Sequence, residues 1–444
     1  MFSPRYTSRM SHGNRFRSIA LCCSWAFSCA ATTMAQSTHY SVKLAPDFEH
    51  QLLKGDETIE VQADAGEVEW QKQAGLRVMS ANVADGDVTV NEQAVRVRLR
   101  SGGKHILRVK YTATAGRGIR WFGSAVPRRD YSRDSGFATA FYCEAWIVCN
   151  TSPGQRATLR LEIVIPSREG GNMGFRAVGP GTRGREWRAR DGDHFVFEQS
   201  DPVQTYLFSF GVARLAVAVN GKFSIYAQKM EASKEAFAKT EDAYAFLRSI
   251  ASIDPMNSHY AQVFLPGPSM GQEAAGMALL SQDNMADLVD KDDVKLMAHE
   301  LAHQWWGVTV GIQSWSDFWL NEGFAEFMSI AYIERHQGRA AYDQQIAELR
   351  DRMKKLREEG KDRPLHWEKW KDTHEALGQI PYVKGALFLA RLRTELGDEI
   401  FWRGIGLYTS ANARRLVDSR DFERAMEKAN GRDLKALFDE AVYR

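Results

Sequence analysis

What this chain has little of narrows the reading first. Five cysteines in 444 residues are too few for a disulfide-built scaffold. Three of them, Cys22, Cys23 and Cys29, fall within the first 35 residues. There is no internal repeat and no low-complexity tract, which sets aside solenoids and disordered chains. After the N-terminal stretch no apolar run approaches the ~20 residues of a bilayer span. A strong excess of one charge is missing too: the formal charge is +2, which makes no electrostatic case for nucleic acid. With 44% hydrophobic and 26% charged residues, the balance is that of a globular protein. A chain this long buries most of its apolar surface without cross-links, in two or three domains.

The first 35 residues differ from the rest. Arg5, Arg9, Arg15 and Arg17 make a basic start without an acid, and residues 18–35 carry no charge, with Ile19, Ala20, Leu21, Trp25 and Phe27 as an apolar centre. Thr33-Met34-Ala35 places small residues where a signal peptidase reads. This order is that of a secretory signal peptide cut before Gln36. An uncleaved membrane anchor and a lipoprotein site at Cys29 are the minor alternatives. Cleavage takes the formal charge from +2 to −2 and leaves a body without a membrane span. Export, to the periplasm or the medium, then permits a disulfide between the two remaining cysteines, Cys143 and Cys149. If residues 137–148 form one strand, their sulfurs stand about 20 Å apart. Glu144-Ala145-Trp146-Ile147-Val148 contains no turn former, so two free, half-buried thiols are expected.

Residues 38–215 are β-rich. Tyr40-Ser41-Val42-Lys43-Leu44, Thr58-Ile59-Glu60-Val61, Val95-Arg96-Val97-Arg98-Leu99-Arg100 and His105-Ile106-Leu107-Arg108-Val109-Lys110-Tyr111 alternate apolar with polar. That period of two marks half-buried antiparallel strands. Glu169-Gly170-Gly171-Asn172 and Gly179-Pro180-Gly181 read as breaks. Near Asn220-Gly221 the style changes. Helical spacing runs over 234–250, 296–307, 319–337, 340–359 and 382–396, with Gly360 and Pro364 marking a loop. The chain reads as α+β: a signal peptide (1–35), an antiparallel β sandwich or saddle (36–216) and a mainly helical domain (217–444).

The chemistry concentrates in His299-Glu300-Leu301-Ala302-His303. Residues four apart share one helix face, so two imidazoles at that spacing can hold one Zn²⁺. Glu300 is offset by about 100°. There a carboxylate borders the metal and can take a proton from a water the metal has made acidic. A catalytic zinc needs a third protein ligand, and Glu322 in Trp319-Leu320-Asn321-Glu322-Gly323 offers one at the start of a second helix that Ser316 or Asp317 could cap. Glu326, one turn further, could accept the free N–H of a ligand histidine and fix its tautomer.

The run His299 to Gly307, with Trp315 and Trp319 to Ala325, closely resembles the M1 family of zinc aminopeptidases. Weaker similarity begins at Tyr40–Ile59. It continues through Val148-Cys149-Asn150-Thr151-Ser152-Pro153, where Val148 stands for the family's usual proline. The resemblance implies a thermolysin-like catalytic domain behind an N-terminal β domain, one zinc ion and a peptide substrate. It also implies that Tyr382, in Tyr382-Val383-Lys384-Gly385, donates its hydroxyl to the oxyanion of the tetrahedral intermediate. The family's Gly-x-Met-Glu-Asn segment, which contacts substrate and whose glutamate holds its α-amine, matches Gly276-Met277-Ala278. Gly276 and Met277 remain suited to backbone contact with a peptide, but Ala278 cannot pair with an ammonium. A second family anchor falls on Thr139. Glu144, Glu273 or Asp283 could stand in, and the sequence does not select among them. Many members continue into a large helical C-terminal domain; this chain stops near the end of the catalytic domain. Three readings follow: an exported aminopeptidase with an altered N-terminus pocket, a peptidase of the same chemistry without a free-amine requirement, and a zinc-containing peptide-binding protein with little turnover.

Overall fold

The computed structural model describes residues 37–122, 136–139, 141–167, 174–267, 270–370 and 378–444. The expected signal peptide and the Glu169 to Asn172 break lie outside them.

The alternating segments are strands. A seven-stranded sheet runs in the order Thr182–Arg188, Gly192–Gln204, Arg156–Pro166, Ser37–Asp47, Leu52–Ala63, Gly103–Thr114 and Leu76–Asn82. In Leu52–Ala63 the pleat buries Leu53, Glu57, Ile59, Val61 and Ala63 and turns Thr58, Glu60 and Gln62 outward, as a period of two requires. The sheet is not wholly antiparallel: Ser37–Asp47 runs parallel to Arg156–Pro166, with Tyr40 opposite Leu159. A three-stranded and a four-stranded sheet complete the β-rich part.

The change of style at Asn220-Gly221 is a hairpin, not the start of helix. Ala216–Asn220 and Phe223–Ala227 pair across it and open a mixed five-stranded sheet, completed by Tyr260–Leu265, Met277–Ser281 and the edge strand Gly271–Ala274. Among the described residues the helices are α1 (Ser233–Ala251), α2 (Gln282–Asp290), α3 (Lys295–Ala302), α4 (Trp319–Gln337), α5 (Arg339–Glu358), α6 (Gln379–Leu396), α7 (Asp398–Ala411), α8 (Ser419–Asn430) and α9 (Lys435–Ala441). No described helix is long and apolar enough to cross a membrane. Trp306, Trp319, Phe324, Tyr408 and Phe422 pack with ring centroids 5.1–6.2 Å apart. That buried aromatic cluster fixes α4 against α7 and α8.

Cys143 and Cys149 form a disulfide, which overturns the expectation of two free thiols. Residues 137–148 are not one strand. The strand ends at Thr139 and Cys143–Ala145 is a 3-10 turn, in which Cys143 O accepts from Trp146 N at 3.0 Å and Ile147 N at 2.9 Å. The Cα atoms are 6.2 Å apart, a normal cross-link span. The turn is held from outside: Val148 N donates to Glu57 at 2.9 Å, and Cys149 exchanges two backbone bonds with Gln71.

Candidate active site

Helix α3 carries His299 and Glu300, and His303 sits at its C-cap. The helical run is shorter than its sequence pattern, because the chain turns tightly through Gln304 and Trp305. Gln304 uses both ends of its amide to hold the edge of the five-stranded sheet: its Nε2 donates to Ala274 O and its Oε1 accepts from Gly276 N, each at 3.0 Å. The zinc-motif helix and the edge strand are thereby locked together.

Helix α4 brings Glu322 to the same place. Its N-cap is Phe318, without a side-chain cap. Asp317 does not cap it; its carboxylate accepts from Ser419 N at 3.2 Å and faces His366 Nδ1 at 2.8 Å. Helices α4 and α6 approach closely at Gly323 and Gly385, where a Cβ on Gly323 would lie 2.8 Å from Gly385 Cα. Any larger residue at either glycine would push Glu322 and Tyr382 apart.

Three ligand-type atoms converge. His299 Nε2 and His303 Nε2 are 3.2 Å apart, and each is 3.4 Å from Glu322 Oε2. His303 Nδ1 lies 3.1 Å from the Trp306 carbonyl, which only accepts, so Nδ1 carries the proton and Nε2 the lone pair. His299 Nδ1 faces Glu326 Oε2 at 3.5 Å, giving the same tautomer. Two nitrogen lone pairs and a carboxylate oxygen aimed at one point repel unless a proton or a metal cation lies between them. Glu322 Oε2 is buried without a hydrogen-bond partner. Ligands ~2.0–2.1 Å from a tetrahedral zinc stand about 3.3 Å from one another, so the donor set and its spacing fit that ion.

The surrounding charge agrees. Burial opposes ionisation of Glu322, but with no metal between them the two imidazoles, their own pKa values raised against burial by the facing carboxylates, outweigh it as imidazoliums and lower its pKa to about 2. Glu326 is likewise brought to about 2, against burial, by His299 and by Lys295, whose Nζ is 2.9 Å from Glu326 Oε1. Burial raises the pKa of Glu300 and of Glu273, the latter to about 8. Tyr382 is raised well above its ordinary value, by burial first and then by Glu322 and Glu273. Its ring lies parallel to that of His299, centroids 6.0 Å apart.

These groups line a cavity of about 360 Å³ with Gly271, Glu273, Lys295 and Asp293. His299, Glu300, His303, Glu322, Glu326 and Tyr382 are therefore brought together. Gly276, Met277 and Ala278 are not at the cavity wall. Ala278 is fully buried in the next strand inward, directly opposite Glu273. The edge strand, one ladder position out, supplies the wall. Of the three carboxylates considered, Glu273 alone faces the site; Glu144 and Asp283 do not line the cavity. Thr139 spends its hydroxyl on the Phe210 backbone. Gly271 was also missed. A Cβ there would strike Glu300 Oε1, and would lie 2.8 Å from Leu296 Cδ1, so the strand passes close only because the position is glycine. Gly267-Pro268-Ser269-Met270-Gly271 has the spacing of a serine-hydrolase elbow, but a strand follows it where that elbow needs a helix.

Residues 230–440 match the Peptidase family M1 domain. The chain is 26% identical over 308 residues to leucine aminopeptidase 2 of Aspergillus oryzae, covering 67% of this chain and 49% of that protein. It is 22% identical over 422 residues to leucyl aminopeptidase of Saccharolobus solfataricus, covering 91% and 53%. The chain thus spans about half the length of these curated relatives. Yeast LTA4 hydrolase in complex with bestatin shares the fold at a TM-score of 0.78 and 19% identity, over 95% of this chain and 70% of that one. An M1 zinc metallopeptidase of Deinococcus radiodurans, bound to a Tyr-Ser-Ala substrate, does so at 0.71 and 21%, over 93% and 95%. The match to the Peptidase family M1 domain thus covers the part of the chain that carries the motif, and the two-part fold of these solved structures extends over the described β-rich region.

Proposed function

We propose that this protein is an exported zinc aminopeptidase that removes residues from the free N-terminus of peptides. The observation that carries the reading is the triangle of His299 Nε2, His303 Nε2 and Glu322 Oε2, 3.2–3.4 Å on a side, bordered by Glu300 and Tyr382. Those three atoms would hold one zinc ion, which supplies Lewis acidity towards a carbonyl oxygen and a water. Glu300 is buried, and its pKa is raised by that burial, which suits a carboxylate that accepts a proton from water and returns it to the leaving amine. The Tyr382 hydroxyl remains protonated and donates to the oxygen on which negative charge develops. Glu326 and the Trp306 carbonyl hold the two imidazoles with Nε2 facing inward.

Glu273 faces the same cavity with Oε1 unpartnered. It binds the substrate's α-ammonium, whose charge favours the carboxylate that burial disfavours. An acid at Glu273 supports a free-amine requirement despite Ala278 and weighs against a peptidase indifferent to the N-terminus. The basic and then apolar N-terminal stretch and the Cys143–Cys149 disulfide support export; fractionation of cells expressing the full chain tests it.

The function is tested with matched peptides bearing free or acetylated N-termini, on protein whose zinc content has been measured. One zinc per chain and cleavage of the free peptide alone are expected, with Glu273→Gln lowering kcat/KM for it by about 10²- to 10³-fold, the scale of a lost buried charge pair. Equal cleavage of the acetylated peptide would make the enzyme an endopeptidase instead.

A further inference from the structure

The catalytic cavity holds a second group of ligand-type atoms that the histidine triangle does not use. Glu273, Glu300 and His303 bring one such atom each to within 4.8 Å of one another. His303 belongs to both groups but has one lone pair to give. Its Nδ1 faces the Trp306 carbonyl, and its Nε2 faces His299 and Glu322. What the second group adds is therefore a pair of carboxylates, Glu273 from the edge strand and Glu300 from α3.

Burial and hydrogen bonding set this pair apart from an ordinary acidic cluster. Glu273 and Glu300 are 6% and 4% exposed. Glu273 Oε1 and Glu300 Oε2 are both buried without a hydrogen-bond partner. Each carboxylate is held from its other side. Gln272 Nε2 donates to Glu273 Oε2 at 2.8 Å, and the backbone of Gly271 packs against Glu300 where any side chain would collide with it. Among the described residues lining the cavity, Lys295 carries the one ammonium. It is engaged elsewhere, with Nζ 2.9 Å from both Glu326 Oε1 and Gln345 Oε1. Neither Glu273 nor Glu300 is paired with a described lysine or arginine.

Buried carboxylate oxygens without partners are costly, and a cation between them removes the cost. Oxygen donors of this kind suit divalent cations, and among first-row ions zinc binds such donors more tightly than manganese. Two protein ligands instead of three make the site weaker than the triangle. A neighbouring ion is no bar, since two-metal centres hold their ions about 3.5–4 Å apart.

We propose that Glu273 and Glu300 form a second, weaker divalent-cation site beside the histidine triangle, through which zinc in excess inhibits the enzyme. The proposal rests on the aminopeptidase reading for the consequence. The Glu273 oxygen that receives the substrate's α-ammonium is the one that ligates the ion, and Glu300 is no longer free to accept a proton. The ion and a free N-terminus therefore exclude each other.

Metal binding and hydrolysis are read separately. Full-chain protein holding one zinc is dialysed against rising zinc, and the bound metal is counted by atomic absorption. A second zinc per chain is expected. Glu273→Gln and Glu300→Gln should each return the count to one, and the zinc that remains shows that the variant is folded. Propylammonium, a primary amine with no bond to cleave, should weaken the second zinc and leave the first. In hydrolysis of a free-amine peptide, zinc at about ten times the dissociation constant of the second site should raise KM about 10-fold and leave kcat unchanged, as mutual exclusion requires.

A count that stays at one would overturn the site, and is the result for two carboxylates that merely share a proton. A second zinc that survives both substitutions, or that ignores propylammonium, would overturn it too. So would inhibition that lowers kcat without raising KM. Failure of the one-zinc protein to cleave any free-amine peptide would sink the proposed function instead, while the metal count stands or falls by itself.

Discussion

Two buried glutamates, one in each half of the molecule, show how differently the halves use the same side chain. Glu57 sits on the core face of a strand, fully buried, with Oε2 accepting from Val148 N and Oε1 unpartnered. Burial pushes its pKa well above the ordinary carboxylate range. Glu322 is 2% exposed on α4, yet its pKa falls to about 2 because two imidazoles face it. The first is a structural pin that holds the disulfide turn, pushed by burial towards its neutral form. The second is a charge prepared for a cation. Burial penalises both equally; the partners decide the sign.

The largest effect that sharpens this contrast is chemical. Glu300→Gln should lower kcat by about 10²- to 10⁴-fold, the range for removing a general base, while zinc content measured by atomic absorption stays the same. Tyr382→Phe should cost about 10²- to 10³-fold in kcat with little change in KM, as for the loss of one donor to an oxyanion; a pure KM effect would mean that the tyrosine only shapes the cavity.

In the β-rich half the effects are on stability. Replacing Cys143 and Cys149 by serine should remove about 2 kcal/mol, the value for closing so short a loop, read from urea unfolding, with catalytic constants at saturating zinc unchanged. Glu57→Gln should give the smallest effect, and one that depends on pH. A carboxyl whose folded pKa is raised favours the folded state fully below its unfolded value, near 4.3, and loses that advantage as pH rises towards the folded value. The amide needs no proton, so the variant should gain Tm relative to wild type as pH increases from 4 to 8. A flat difference across that range would mean that Glu57 is ionised in the folded protein and that the contrast with Glu322 is false.

Much of the site was legible because it is local. A helix places residues four apart on one face whatever surrounds it, so His299, Glu300 and His303 could be read as a unit, with Glu322 and Glu326 repeating the spacing on the next long helix. Tyr382 was legible only through family resemblance. Its meeting with Glu322 depends on the glycine contact between α4 and α6, which no pattern along the chain announces. Glu273 illustrates the opposite case. Gly276-Met277-Ala278 and Gly271-Gln272-Glu273-Ala274 are both credible strand-like stretches, and only the ladder shows which is the edge strand facing the cavity. The disulfide failed for a related reason, since its turn is imposed by Glu57 and Gln71 from remote strands.

By itself the sequence determined the periodicities: which stretches are strands, which are helices, and which imidazoles share a face, because these follow from backbone geometry repeated over a few residues. The tertiary structure alone decided which carboxylate meets the site, which strand forms its wall and where two cysteines join. Those choices depend on strand order, close glycine contacts and buried hydrogen bonds between residues far apart in the chain, and such contacts have no local signature.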